Sequence, residues 1–121
     1  MRDIRFRAWD KKKNDWFDED SGDLYIELNG NINFGWNGEV MDDYTDRVIL
    51  LQYTGMKDVK GIEIYEGDIL QSEHYFKYQV VFKGDCWKCE SLKNNRFKNR
   101  FIGRDLKVIG NIYENPELLE D

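Results

Sequence analysis

Cys86-Trp87-Lys88-Cys89 is the spacing in this chain that most directly suggests chemistry. Two thiols three residues apart can serve a metal ion or a dithiol redox pair. Zinc ligation wants a second such pair or two histidines. The chain has two cysteines and one histidine, His74. Redox work wants the first thiol at a helix N-terminus, where its thiolate is stabilised. Here a Gly84-Asp85 turn precedes the pair in strand-like sequence, so thiols three apart face opposite sides. Two ordinary strand cysteines are expected, with no metal and no cofactor.

His74 lies in Ser72-Glu73-His74-Tyr75-Phe76-Lys77, which reads as an exposed loop. A general base needs a partner that orients it and a pocket that holds substrate. No nucleophile motif accompanies it, so a surface histidine is expected. Asp10, Asp15, Asp18, Glu19, Asp20 and Asp23 crowd the N-terminal part. They lack the alternate-acid, central-glycine and twelfth-position Glu spacing of a calcium loop. A solvated acidic loop is expected, and the Lys11-Lys12-Lys13 run reads as a solvated turn tip. No catalytic or metal-ligating residue is assigned, and the chain is expected not to be an enzyme.

The segment Lys93-Asn94-Asn95-Arg96-Phe97-Lys98-Asn99-Arg100-Phe101-Ile102-Gly103-Arg104 carries the strongest signal for contact with a partner. Arg96, Arg100 and Arg104 recur every four residues, as do Phe97 and Phe101. On a helix these would form adjacent cationic and aromatic stripes. On a loop or ribbon they interleave as in single-strand binders, where rings stack on bases and guanidiniums meet phosphates. Three readings stand open: a charged cover whose two Phe rings reach the core, contact with a protein or a second copy, and contact with nucleic acid. The contact residues are Arg96, Phe97, Lys98, Arg100, Phe101 and Arg104. The cover stands first and nucleic acid last. From Lys93 to Lys107 six cations face one acid, Asp105, so this stretch is +5 while the rest is −11, at a net charge of −6. A mostly acidic body repels a phosphate backbone, which argues against general coating of nucleic acid.

The elements that must position these residues read as mainly β. Aromatics make up 15 % of the chain, alanine occurs once at Ala8 and proline once at Pro116. Few helix formers and many aromatic and β-branched residues favour sheet. At 121 residues the chain suits one domain, 1–121, which can bury its own core without metal or disulfide. Residues 4–9 alternate as a strand, with Ile4, Phe6 and Ala8 on its buried face, and Trp16-Phe17 pairs back as a hairpin. Leu24–Leu28 and Asn31–Phe34 flank an Asn29-Gly30 turn. The stretch 36–46 reads as loop or insertion.

Arg47–Tyr53 reads as a strand apolar on both faces. Asp58-Val59-Lys60-Gly61 reads as a type I turn closed by a left-handed glycine, between Met56-Lys57 and Ile62-Glu63-Ile64. Glu66-Gly67-Asp68 leads into the strand that begins Ile69-Leu70. Tyr78–Phe82 and Cys86–Leu92 flank the Lys83-Gly84-Asp85 turn, and Leu106–Tyr113 is the last strand. Asn115 as N-cap and Pro116 at the first position predict one helical turn, with Leu118 or Leu119 plugging an open end of the core. The whole is read as a small antiparallel barrel or roll. The N-terminus has no apolar signal region and no apolar run approaches the length of a membrane span, so a cytosolic protein with reduced thiols is expected.

Three blocks carry a family resemblance: Ile4-Arg5-Phe6-Arg7-Ala8-Trp9-Asp10; Gln52-Tyr53-Thr54-Gly55-Met56-Lys57-Asp58 through Gly61 to Glu63-Ile64-Tyr65-Glu66-Gly67-Asp68-Ile69; and Val108-Ile109-Gly110-Asn111-Ile112-Tyr113-Glu114-Asn115-Pro116-Glu117-Leu118-Leu119. In these the chain resembles the YopX family of phage and prophage proteins. The resemblance implies an SH3-like small barrel or roll with inserted loops and a short C-terminal helical turn. It also implies an origin in a phage, prophage or bacterial mobile element. It suggests self-association, and the basic 93–104 segment adds a host or phage protein as the other expected partner, in the cytoplasm of a bacterial host and with no membrane. It supplies no activity and no site residues. Segments 18–46 and 71–105 do not follow the family pattern.

Overall fold

The computed structural model describes residues 3–92 and 99–119. Among them the chain runs through β1 (Phe6–Asp10), β2 (Asp15–Trp16), β3 (Asp23–Ile26), β4 (Ile32–Trp36), β5 (Glu39–Asp43), β6 (Val48–Lys57), β7 (Glu63–Tyr65), β8 (Asp68–Gln71), β9 (Lys77–Lys83), β10 (Cys86–Ser91) and β11 (Lys107–Asn111). A lone 3-10 turn, Pro116–Leu119, follows. The protein is mainly β, as composition and patterning require. It divides into two compact units, Arg7–Leu50 and Met1–Phe6 with Leu51–Asp121.

The larger unit is built on an antiparallel sheet in the order β10-β9-β8-β11, curled into a half-barrel. Its core is Ile64, Leu70, Tyr78, Val80, Cys89, Ile102 and Leu106, with Phe76, Trp87 and Val108 packed against it. The β6–β7 hairpin turns where the sequence placed it. Asp58 Oδ1 accepts the N–H of Lys60 and of Ile62, each at 2.8 Å, and Gly61 adopts φ +82°. Asp58 Oδ2 accepts the Val108 N–H at 2.9 Å, so one carboxylate ties this turn to β11. Asp68 ties the next turn by accepting the Tyr65 N–H at 2.8 Å, and Gly67 adopts φ +86°.

The final strand is shorter than its pattern suggests. A bulge falls between Val108 and Gly110. Ile112 and Tyr113 leave the sheet in a turn that Asn111 holds, its Oδ1 accepting the N–H of Tyr113 and of Glu114. Asn115 sits at the N-cap position, its carbonyl accepting the Leu118 N–H, but its side chain does not cap the turn: Oδ1 accepts the Asn111 N–H instead. The expected plug is partial. No residue of Pro116–Leu119 is fully buried, and a Cβ on Gly110 would lie 2.9 Å from Leu118 Cδ1. A single short turn covers a glycine here rather than filling a cavity.

The smaller unit holds the β1–β2 hairpin, with Trp9 opposite Trp16 and Asp10 opposite Asp15, and the antiparallel sheet β3-β4-β5. Two expectations fail here. The face of the first strand is inverted: Ile4 and Phe6 are exposed, while Trp9 is buried. Arg7 shares Trp9's parity and sets its guanidinium 4.7 Å from the centre of the Trp16 ring, and Arg5, which belongs to the larger unit, sets its own 4.5 Å from that unit's Tyr53 ring. A guanidinium carries its stem onto such a ring and packs as an apolar residue would. The stretch 36–46 is also no loop. Trp36 ends β4, Asn37 and Gly38 both take positive φ, and β5 returns along β4. Every residue of β5 is exposed, so it shows no alternation to read. An Asn-Gly pair with both residues left-handed is nonetheless the usual hairpin signal.

Candidate functional site

Of the six residues singled out for partner contact, Arg100, Phe101 and Arg104 are described; Arg96, Phe97 and Lys98 lie outside the described residues. The described part is extended. Arg100 forms an antiparallel bridge with Cys89 of β10: the Cys89 N–H donates to the Arg100 carbonyl at 2.7 Å, and the Arg100 N–H donates back at 3.0 Å. Asn99 Oδ1 accepts the Ser91 N–H at 2.8 Å. Asn99 and Arg100 therefore lie along the outer edge of β10. At Arg100 the four-residue helical stripe gives way to strand alternation.

Strand periodicity decides which side chains are spent and which are presented. Ile102, 7 % exposed, and Leu106, fully buried, anchor the segment in the core. Phe101 is 69 % exposed, so its ring does not reach the core as the cover reading required. Arg100 forks onto Asp105, Nη1 donating to Oδ2 at 2.9 Å and Nη2 to Oδ1 at 2.7 Å. Its Nε donates to the Phe101 carbonyl. The pair holds the Asp105 carboxyl below the usual carboxylate range and raises the Arg100 guanidinium. Gly103 makes room for this fork, because a Cβ there would collide with the Arg100 guanidinium and the Asp105 carboxylate. Arg104 is exposed and has no ion-pair partner among the described residues. The surface presented is thus an aromatic ring and a cation, held out by a neutralised Arg–Asp clasp.

The other chemistry-bearing residues do not converge. Cys86 and Cys89 are free thiols on β10, separated by the odd spacing that puts them on opposite faces. Burial pushes the Cys89 thiol up to about 12, with Arg100 pulling weakly the other way. A thiol so shielded is a poor nucleophile at neutral pH. His74 is exposed in the turn between β8 and β9. Among the described residues no three His, Cys, Asp or Glu side chains gather as metal ligands would. No helix there is long and apolar enough to cross a membrane.

The acidic cluster does not stay together. Asp15 sits in β2, Asp23 in β3, and Asp18 ties its own turn by accepting the Asp20 N–H. Asp10 departs furthest from a solvated loop: it is 1 % exposed. Its carboxylate accepts the N–H of Lys12 and of Lys13, and Arg47 donates Nε to Oδ1 at 3.0 Å and Nη2 to Oδ2 at 2.9 Å. That fork, opposed by burial, holds the Asp10 carboxyl below its ordinary value. Sequence reasoning missed this pair; the one local signal was an Asp at a strand end followed by a polar turn, where its oxygens can accept the next N–H groups.

The family model described as YopX protein matches residues 5–120. No curated protein matches the chain. Protein EF1440 from Enterococcus faecalis is a solved structure at 25 % identity and a TM-score of 0.61, covering 98 % of this chain and 99 % of its own. Protein yopX from Bacillus subtilis superposes with a TM-score of 0.62 at 23 % identity, over the same shares of the two chains. These two similar structures share this fold end to end.

Proposed function

This chain belongs to the YopX family, and from the geometry of its 99–106 segment we propose that it is a non-catalytic accessory protein of a phage or prophage that acts by binding protein. The partner is a host or phage protein or a second copy of this chain. The observation that carries this reading is the outward Phe101 ring beside Arg104, on a segment whose other side chains are already spent. Aromatic and arginine side chains are the residues that most often anchor protein interfaces. Phe101 rests on the short bridge between Arg100 and Cys89, so presenting it costs little ordering.

Nucleic acid is the second reading, and the Arg100–Asp105 clasp weighs against it. Arg100 has Nε, Nη1 and Nη2 all engaged, which leaves this guanidinium little to offer a phosphate. Capture from bacterial lysate on immobilised protein, with Phe101→Asp/Arg104→Glu run alongside, tests the first reading. A protein retained by the parent chain and lost from the double variant is the expected result. Gel shifts with mixed DNA and RNA at low salt test the second: binding that weakens with a slope near −0.7 per contact on single strands would favour it.

A further inference from the structure

Two turns of the smaller unit close on one another around Arg47. The Lys11 N–H donates to the Arg47 carbonyl at 3.0 Å. Asp10, accepting the Lys12 and Lys13 N–H groups, grips Arg47 through Nε and Nη2. The guanidinium lies 4.3 Å from the centre of the Tyr44 ring. Arg47 is thereby locked in one orientation, with its Nη1 hydrogens unspent among the described residues. Lys11, Lys12, Arg47, Asp43 and Asp46 line an open cavity of about 520 Å³.

The walls of this cavity differ in sign. Lys11 and Lys12 are exposed and have no ion-pair partner among the described residues. Two carboxylates line the same cavity. Asp43 Oδ1 accepts the Thr45 N–H and hydroxyl, which holds its carboxyl below the ordinary value and leaves Oδ2 open. Asp46 is exposed without a hydrogen-bond partner among the described residues. Asp10 offsets the Arg47 charge but leaves its Nη1 donors open, and two ammonium point charges beside that fixed donor suit a compact dianion. The two acids would repel a bare anion, so the ligand must also bring donors.

We propose that this cavity binds a small phosphate monoester of a polyhydroxy compound, the phosphate meeting Lys11, Lys12 and Arg47 and the hydroxyls donating to Asp43 and Asp46. The site draws on no residue of the 99–106 segment and stands whether or not that segment binds protein.

Titration calorimetry of the full chain at low salt with glucose 6-phosphate, glucose and inorganic phosphate tests it. Saturable binding of glucose 6-phosphate, weakened roughly tenfold by Lys12→Ala and by Asp46→Asn, is expected, with glucose and inorganic phosphate each weaker. Both substituted residues are exposed, so neither variant threatens folding. Absence of saturable binding at millimolar ligand, or equal affinity in Lys11→Ala/Lys12→Ala, would overturn the site. Inorganic phosphate binding as tightly as the sugar phosphate would overturn the role given to the acidic wall.

Discussion

Single side chains hold this fold where the sheets alone would not, and Asp58 does the most. It accepts three backbone N–H groups, two in its own turn and one from β11. Burial alone would raise its carboxyl, but these donors outweigh it and hold it below the ordinary value. Asp58→Asn keeps one carbonyl oxygen and leaves the Val108 N–H or the turn unserved, at a cost of about 1–3 kcal/mol in urea unfolding. The sign of the pH effect follows. A carboxyl depressed in the folded state stabilises above its unfolded value, near 4, and that stability is lost as pH falls through the folded value. Parent stability should therefore drop below about pH 4, and the drop should be shallower in Asp58→Asn. Gly61→Val should cost about 1–2 kcal/mol through left-handed strain alone, since nothing lies within 4 Å of the Cβ it would gain; an unchanged melting temperature would remove that assignment. The turn was legible because Asp58 and Gly61 are local partners. The Asp10–Arg47 pair was not, because its members are 37 residues apart. Arg47→Ala would leave that buried carboxylate with backbone donors only, and a loss of about 3 kcal/mol is expected by the same measurement.

At the scale of elements, the sequence was readable where one face is buried and unreadable where it is not. Strands β9 and β10 and the turn between them alternate against the core and fall within a residue of their expected bounds. Strand β5 is exposed throughout and carries no periodicity. The first strand misled in the other direction, because Trp9, with Arg7 set on the Trp16 ring, took the packed face expected of Ile4 and Phe6. The 99–106 segment shows the same competition. Its four-residue repeat suggests a helix, but the free edge of β10 offers backbone partners that a helix would forgo. Leu106 secures this segment, so Leu106→Ala should lose about 2–5 kcal/mol by urea unfolding. Gly110→Ala should displace the terminal turn, because its methyl would press on Leu118 Cδ1, at about 1–3 kcal/mol.

For the molecule as a whole, the proposed role rests on charge and exposure. In a chain of net charge −6, the described part of the cation-rich 93–107 stretch is tied to a sheet edge. The clasp between Arg100 and Asp105 neutralises the middle of that stretch and leaves Phe101 and Arg104 exposed. The sequence marked this segment as the place to look, since it inverts the charge. It could not say which rings point outward, because that depends on β10 offering an edge. The most direct test of a protein-binding role is a photoreactive phenylalanine analogue at position 101, irradiated in bacterial cells. A discrete covalent adduct with one protein, or with a second copy of the chain, that Arg104→Glu diminishes is the expected result. Crosslinking to nucleic acid in place of protein, or no adduct from a folded chain, would contradict it.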